Sequence, residues 1–197
     1  AALGVGGGGP GALTFVPPGQ PGAGRLKICT WPDGLWYDLA FSPDGDYVAV
    51  FARDERTRSL LLLDVKEGGI ARTIDIPLPI DQPMQPAFRP DGEAVAFSAV
   101  RNGQYDIFEI DLATEVITNL PDDEPYDAAP TYSPDGRYLV YSSAIGEYAK
   151  LVRLDLQDRS DRDQLTFGAG NAPTRPGLLR VIDQAIATGK PIVNVTQ

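Results

Sequence analysis

The sequence predicts an all-β chain: a partial β-propeller of three four-stranded antiparallel blades, followed by a short C-terminal helix–strand tail. Three observations carry this. A Pro-Asp-Gly turn occurs three times, as Pro43-Asp44-Gly45, Pro90-Asp91-Gly92 and Pro134-Asp135-Gly136. Each glycine is followed, 19 residues later, by an aspartate that closes an apolar run: Asp64, Asp111 and Asp155. The repeats measure 47 and 44 residues, and all variation falls between the closing aspartate and the next turn. Self-similarity at about 40–50 residues with four strands per period marks a propeller blade.

The turn residues each have a physical reason. Ser42 and Ser133 suit the first position of a type I turn, and proline pre-sets the backbone of the second. The aspartate bonds nearby backbone at the third, and glycine takes the left-handed conformation that re-enters a strand. In the third repeat the run after the turn, 137–141, is rich in β-formers. There Tyr138 and Val140 share one face. A polar loop is expected at 144–150, then a strand over 151–156.

Taken in order, residues 1–24 are Gly/Pro-rich, with four consecutive glycines at 6–9. They read as a flexible linker that cannot bury enough apolar surface to fold. No Gly-Lys-Ser/Thr follows the glycines, so a phosphate loop is not indicated. A strand is expected over 25–30 and a turn at 31–34. The propeller segment, 25–167, then has three blades. The first uses strands 35–41, 47–52, 59–65 and 71–76. The second uses 85–88, 94–99, 106–112 and 116–120. The third uses 129–132, 138–142, 151–156 and 164–167.

No fourth turn arrives near residue 180, where the spacing would put it. Instead Leu178, Leu179, Ile182, Ala185 and Ile186 fall at helical spacing, and 191–195 is a compact apolar strand. Residues 168–197 therefore read as a separate tail.

The chain has 197 residues, 43% of them hydrophobic and 22% charged, which supports a packed core. It lacks any apolar stretch long enough to span a membrane as a helix. A net charge of −10 argues against non-specific nucleic-acid binding. There is one cysteine, so no internal disulfide can form, and no histidine, which removes the commonest general base and metal ligand. The first residue is Ala1, which fits removal of an upstream segment.

The segments YDLAFSPDG…LLLDV, QPAFRPDG…IFEIDL and DAAPTYSPDG…LVRLDL resemble the TolB-type, WD-like propeller repeat over 35–167. Gln164-Leu165-Thr166 also resembles that family's blade-closing segment. The resemblance implies a propeller with more than three blades that binds proteins or gates access to a partner domain. It also implies a periplasmic or secreted location, with the cytoplasm as the alternative. The tail, FGAGNAPTRPGLLRVIDQAIATGKPIVNVTQ, resembles the C-terminal domain of asparaginases. Gly168, Gly170 and Asn171 match the loop that approaches a neighbouring active site in that family, and Pro173 departs from it. The catalytic residues of that family have no counterpart in the chain.

No catalytic, cofactor-binding or metal-binding residue is assigned. Asp44, Asp91 and Asp135 could hold a metal, but the turns account for them fully. Asp64, Asp111 and Asp155 are expected to bond backbone at blade corners. The run Asp122-Asp123-Glu124 could attract Ca²⁺, yet it reads as a solvated loop. Tyr126, Tyr132, Tyr138, Tyr141 and Tyr148 could form a binding surface or pack between blades. Ser142-Ser143 has no base to activate it. Two functions follow. One is a non-catalytic propeller segment that binds or scaffolds, its partner a protein or further blades. The other is a fragment of an asparaginase-like amidohydrolase fused to a propeller, inactive as this chain.

Overall fold

The computed structural model describes residues 2–5, 11–16, 26–31, 35–53, 57–120, 126–167 and 192–193. The chain divides into two compact units, 1–86 and 87–197.

The first unit opens with a three-stranded antiparallel sheet of β1 (Ala2–Val5), β2 (Gly11–Val16) and β3 (Leu26–Trp31), in that order. This corrects the expectation of a linker over 1–24. The glycines and prolines punctuate two runs, ALGV and GALTFV, whose Leu, Thr, Phe and Val residues favour strands. The expected turn at 32–34 lies outside the described residues. The first blade follows as β4 (Leu35–Phe41), β5 (Tyr47–Arg53), β6 (Arg58–Asp64) and β7 (Ile70–Asp75), each hydrogen-bonded to the next.

The second blade is β8 (Ile80–Phe88), β9 (Ala94–Arg101), β10 (Gln104–Asp111) and β11 (Ile117–Asn119). The third is β12 (Asp127–Tyr132), β13 (Tyr138–Ile145), β14 (Tyr148–Asp155) and β15 (Arg162–Gln164). The architecture is thus all-β, with three four-stranded antiparallel sheets. The loop expected at 144–150 shrinks to a tight turn at Gly146-Glu147, because β13 and β14 pair through to Ile145↔Tyr148.

Two further differences have physical causes. The middle strands are buried on both faces rather than alternating: β5 and β6 each bury five consecutive residues. Pairing within the sheet covers only their edges, so burial of consecutive residues means that both faces of the sheet are packed against. The third blade also closes at β15, not at 164–167. Thr166–Phe167 forms β16, which pairs in parallel with β17 (Ile192–Val193). The expected helix at 178–188 lies outside the described residues.

Within the second unit the second and third blades share one apolar core. Ala96, Ile107 and Leu120 meet Tyr132, Leu139, Tyr141, Val152 and Leu154. Burial of this order, at about 25 cal/mol per Å², is what holds neighbouring blades together.

Candidate functional site

Each blade has a turn end, where the Pro-Asp-Gly group sits, and an opposite end, where its first strand begins. The turn ends are built alike. Gly45, Gly92 and Gly136 adopt φ of 78°, 78° and 71°. Their N–H groups donate to Ser42, Arg89 and Ser133 carbonyls at 2.9, 2.8 and 2.9 Å. The Ser42 hydroxyl donates to Asp44 Oδ1 at 2.6 Å and accepts from Tyr47 N–H at 2.9 Å. Ser133 repeats this with Asp135 and Tyr138. These hydroxyls, with backbone N–H groups, hold the Asp44 and Asp135 carboxyls below the usual carboxylate range. In the second blade Arg89 stands in for serine and gives Asp91 two bonds from Nε, at 2.8 and 3.0 Å.

The closing aspartates also point at backbone. Asp64 accepts from Lys66 and Glu67 N–H at 2.8 and 2.7 Å, and Asp111 from Ala113 and Thr114 at 3.0 and 2.8 Å. Asp155 accepts from Gln157 N–H at 2.9 Å, and the Arg137 guanidinium, 2.8 Å away, holds its carboxyl down. A cleft of about 340 Å³ lies at this end, lined by Arg89, Asp91, Glu109, Asp135, Leu156 and Arg159. Its carboxylates already have donors: Glu109 accepts from the Tyr132 hydroxyl and lies 3.7 Å from Arg89. Among the described residues, no three His, Cys, Asp or Glu side chains gather as metal ligands.

The opposite end differs. The first strand of each blade carries a left-handed residue four places before the turn: Asp38, Gln85 and Ala129, with φ of 33°, 56° and 57°. Register shifts mark a bulge there in β4 and in β12. Such a bulge re-aims the strand and leaves an N–H to be satisfied elsewhere. Gln85 N–H donates to Asp38 at 2.9 Å, and Ala129 N–H to the buried Ser98 hydroxyl at 2.9 Å. No turn or charge signal announced these positions; only aligning the repeats on their turns would show them.

The tyrosines separate by environment. Tyr132 and Tyr141 are core, and burial pushes both hydroxyls up. Tyr138 lies under the guanidinium groups of Arg137 and Arg153, at 4.9 and 4.6 Å. Tyr126 and Tyr148 are exposed, at 55% and 37%. The Tyr126 ring leans on Tyr105 with centroids 6.5 Å apart, and the Lys150 ammonium lies 5.1 Å from the Tyr148 ring. Strand direction puts Tyr105, Tyr126, Tyr148 and the exposed Phe167 at the end away from the turns. Also at that end, Asp127 and Ser143 are buried without hydrogen-bond partners. Sequence reading missed Asp127. It stands six places before Ser133, where the other repeats have Trp36 and Pro83, so a charge at an apolar position was the available signal. Asp122-Asp123-Glu124 and the asparaginase-like Gly168, Gly170 and Asn171 lie outside the described residues.

Comparison with known proteins agrees with this architecture. An uncharacterized protein of Agrobacterium fabrum strain C58, Atu1656, is 31% identical over 152 residues, covering 77% of this chain and 48% of its own length. The chain thus spans about half of that curated relative. TolB from Acinetobacter baumannii superposes with a TM-score of 0.67 at 23% identity, over 80% of this chain and 38% of that one. A structure assigned as TolB from Agrobacterium tumefaciens gives 0.67 at 26% identity, over 81% and 56%. The family model of the TolB beta propeller domain matches residues 35–180. The chain belongs to the TolB beta propeller domain family.

Proposed function

We propose that the chain is a non-catalytic propeller segment that binds protein, and that its second unit does so with the end opposite the Pro-Asp-Gly turns. The observation that carries this is the distribution of exposed aromatic rings. In the second unit Tyr126, Tyr148 and Phe167 are the exposed large aromatics among the described residues, and all three lie at that end. Exposed tyrosines supply large, stiff contact area with a polar tip, which is why they concentrate at protein interfaces. At the turn end the aspartates Asp44, Asp91 and Asp135 serve the backbone, which leaves them little capacity for a ligand. The family's propellers act mainly on protein partners, and further blades are the alternative occupant. A periplasmic or secreted location follows from the same resemblance. No helix among the described residues is long and apolar enough to cross a membrane.

The test compares three full-chain variants as bait in extract of the native host, with bound proteins quantified against wild type. Tyr126→Ser and Tyr148→Ser should lose the same specific protein, while Val116→Ser, exposed at the turn end, should keep it. Loss with Val116→Ser, or retention with both tyrosine variants, would place binding elsewhere.

A further inference from the structure

Asp127 opens β12 and is fully buried. Ser143 lies directly across from it on β13, and Lys150 directly across from Ser143 on β14. Tyr141, two residues before Ser143, stands in the next row of the same face, which packs on the second blade. Neither carboxyl oxygen of Asp127 has a hydrogen-bond partner, nor does the Ser143 or the Tyr141 hydroxyl. An ionised carboxylate in such a place needs a cation or several N–H donors. A carboxylic acid does not: it is uncharged, and its own O–H supplies the missing donor.

None of the charged groups around the site closes a hydrogen bond on Asp127. Asp106 on β10 repels the ionised form. Arg101 on β9 reaches Asp106 at 3.8 Å, and Glu109 on β10 is engaged by Tyr132 and Arg89. Tyr105 on β10 leans on Tyr126, Tyr138 on β13 lies under two arginines, the Arg162 guanidinium on β15 lies 5.8 Å from the Tyr141 ring, and the Lys150 ammonium sits over Tyr148.

We propose that Asp127, Ser143 and Tyr141 form a buried proton-binding site that ties the first strand of the third blade to its neighbours when occupied and loosens that end when empty. In the occupied state the Asp127 carboxyl is uncharged where it faces Ser143 across the strand pair, and in the empty state an unpaired buried anion strains that end. Burial pushes the Asp127 carboxyl up to about 7, while the Ser143 hydroxyl opposes the shift without closing a well-formed bond. The site therefore fills and empties around neutral pH, one residue from the exposed ring of Tyr126.

Carbon-13 NMR of the Asp127 side-chain carboxyl in the full chain, from about pH 4 to about pH 9, reads the site directly. A midpoint near 7 is expected, and one in the ordinary carboxylate range overturns the proposal. Urea unfolding gives a second reading. The unfolding equilibrium constant of wild type, divided by that of Asp127→Asn, should rise up to about tenfold per pH unit as pH climbs toward 7. A flat ratio overturns it. So does Ca²⁺ or Na⁺ stabilising wild type more than Asp127→Asn, because the site would then hold a metal. If Asp127→Asn does not fold, Ser143→Ala replaces it. Losing the hydroxyl that opposes the shift should move the NMR midpoint upward, and an unmoved midpoint counts against the site.

Discussion

The two ends of the second and third blades are made of similar residues arranged to opposite effect. At the turn end Ser133, Asp135, Arg137 and Asp155 pair with one another and with backbone N–H groups. At the other end Asp127, Ser143 and Tyr141 are buried with oxygens unmatched, beside exposed Tyr126 and Tyr148. A carboxylate at the first end stabilises the fold by staying ionised; one at the second end stabilises it by staying protonated. The comparison teaches that repeated aspartates mark architecture, and that the aspartate which does not repeat marks the place to look for regulation.

The largest effect belongs to the apolar seam between the two ends. Leu139 is fully buried there, and Leu139→Ala should cost about 2–5 kcal/mol in urea unfolding. A loss under about 1 kcal/mol would mean the two blades do not share a core.

pH sharpens the contrast next. At Asp127 the folded value of about 7 lies above the reference of 3.8, so the folded chain holds the proton more tightly. Its contribution is complete below 3.8 and is lost as pH rises toward 7, at up to about 1.4 kcal/mol per pH unit. Asp127→Asn should therefore be more stable than wild type at neutral pH and equal to it in acid. At Asp44, Asp135 and Asp155 the folded values are lowered, so their contributions are present above 3.8 and lost as pH falls. Ser133→Ala should shrink that acid-side loss and leave the neutral-side loss intact. Urea midpoints against pH for the two variants would separate the ends, and parallel curves would merge them.

Smaller still is the backbone term at the turns. Gly136 has φ of 71°, and an added Cβ would meet Pro90 at 3.6 Å, an ordinary contact. Gly45 has φ of 78° and open space. Gly136→Ala and Gly45→Ala should each cost about 1–2 kcal/mol, from conformation alone. A much larger loss at Gly136 would show that the cleft there is tighter than its geometry implies. Tyr126→Ser should change stability least, by under about 0.5 kcal/mol, because its ring is exposed.

How far the sequence reaches follows the same division. The turns and closing aspartates were legible because their chemistry is local: a proline, an aspartate and a glycine within a few residues fix the backbone. So were the strands of the blades, to within a few residues. The extra strands β1 and β2 were hidden by glycine and proline that suggest disorder when averaged over the segment. The left-handed Gln85 and Ala129 carry no residue-type signal, and Asp38 only a weak one, since aspartate enters that region more readily than most residues. Asp127 stood out only as a charge where the other repeats have Trp36 and Pro83, and its burial was hidden for a different reason. Its burial depends on register with Ser143 and on packing against the neighbouring blade, and neither is encoded within a few residues of it.

The central claim is that the turn aspartates hold the fold while the opposite end does the work. Photo-crosslinking tests it most directly, with a photoreactive side chain placed in the full chain at Tyr126 or at Arg159, in the native host. The account predicts a specific protein adduct from position 126 and none from 159, with the 126 adduct surviving Asp135→Ala in chain that remains folded. An adduct from 159 alone, or a 126 adduct abolished by Asp135→Ala without unfolding, would contradict it.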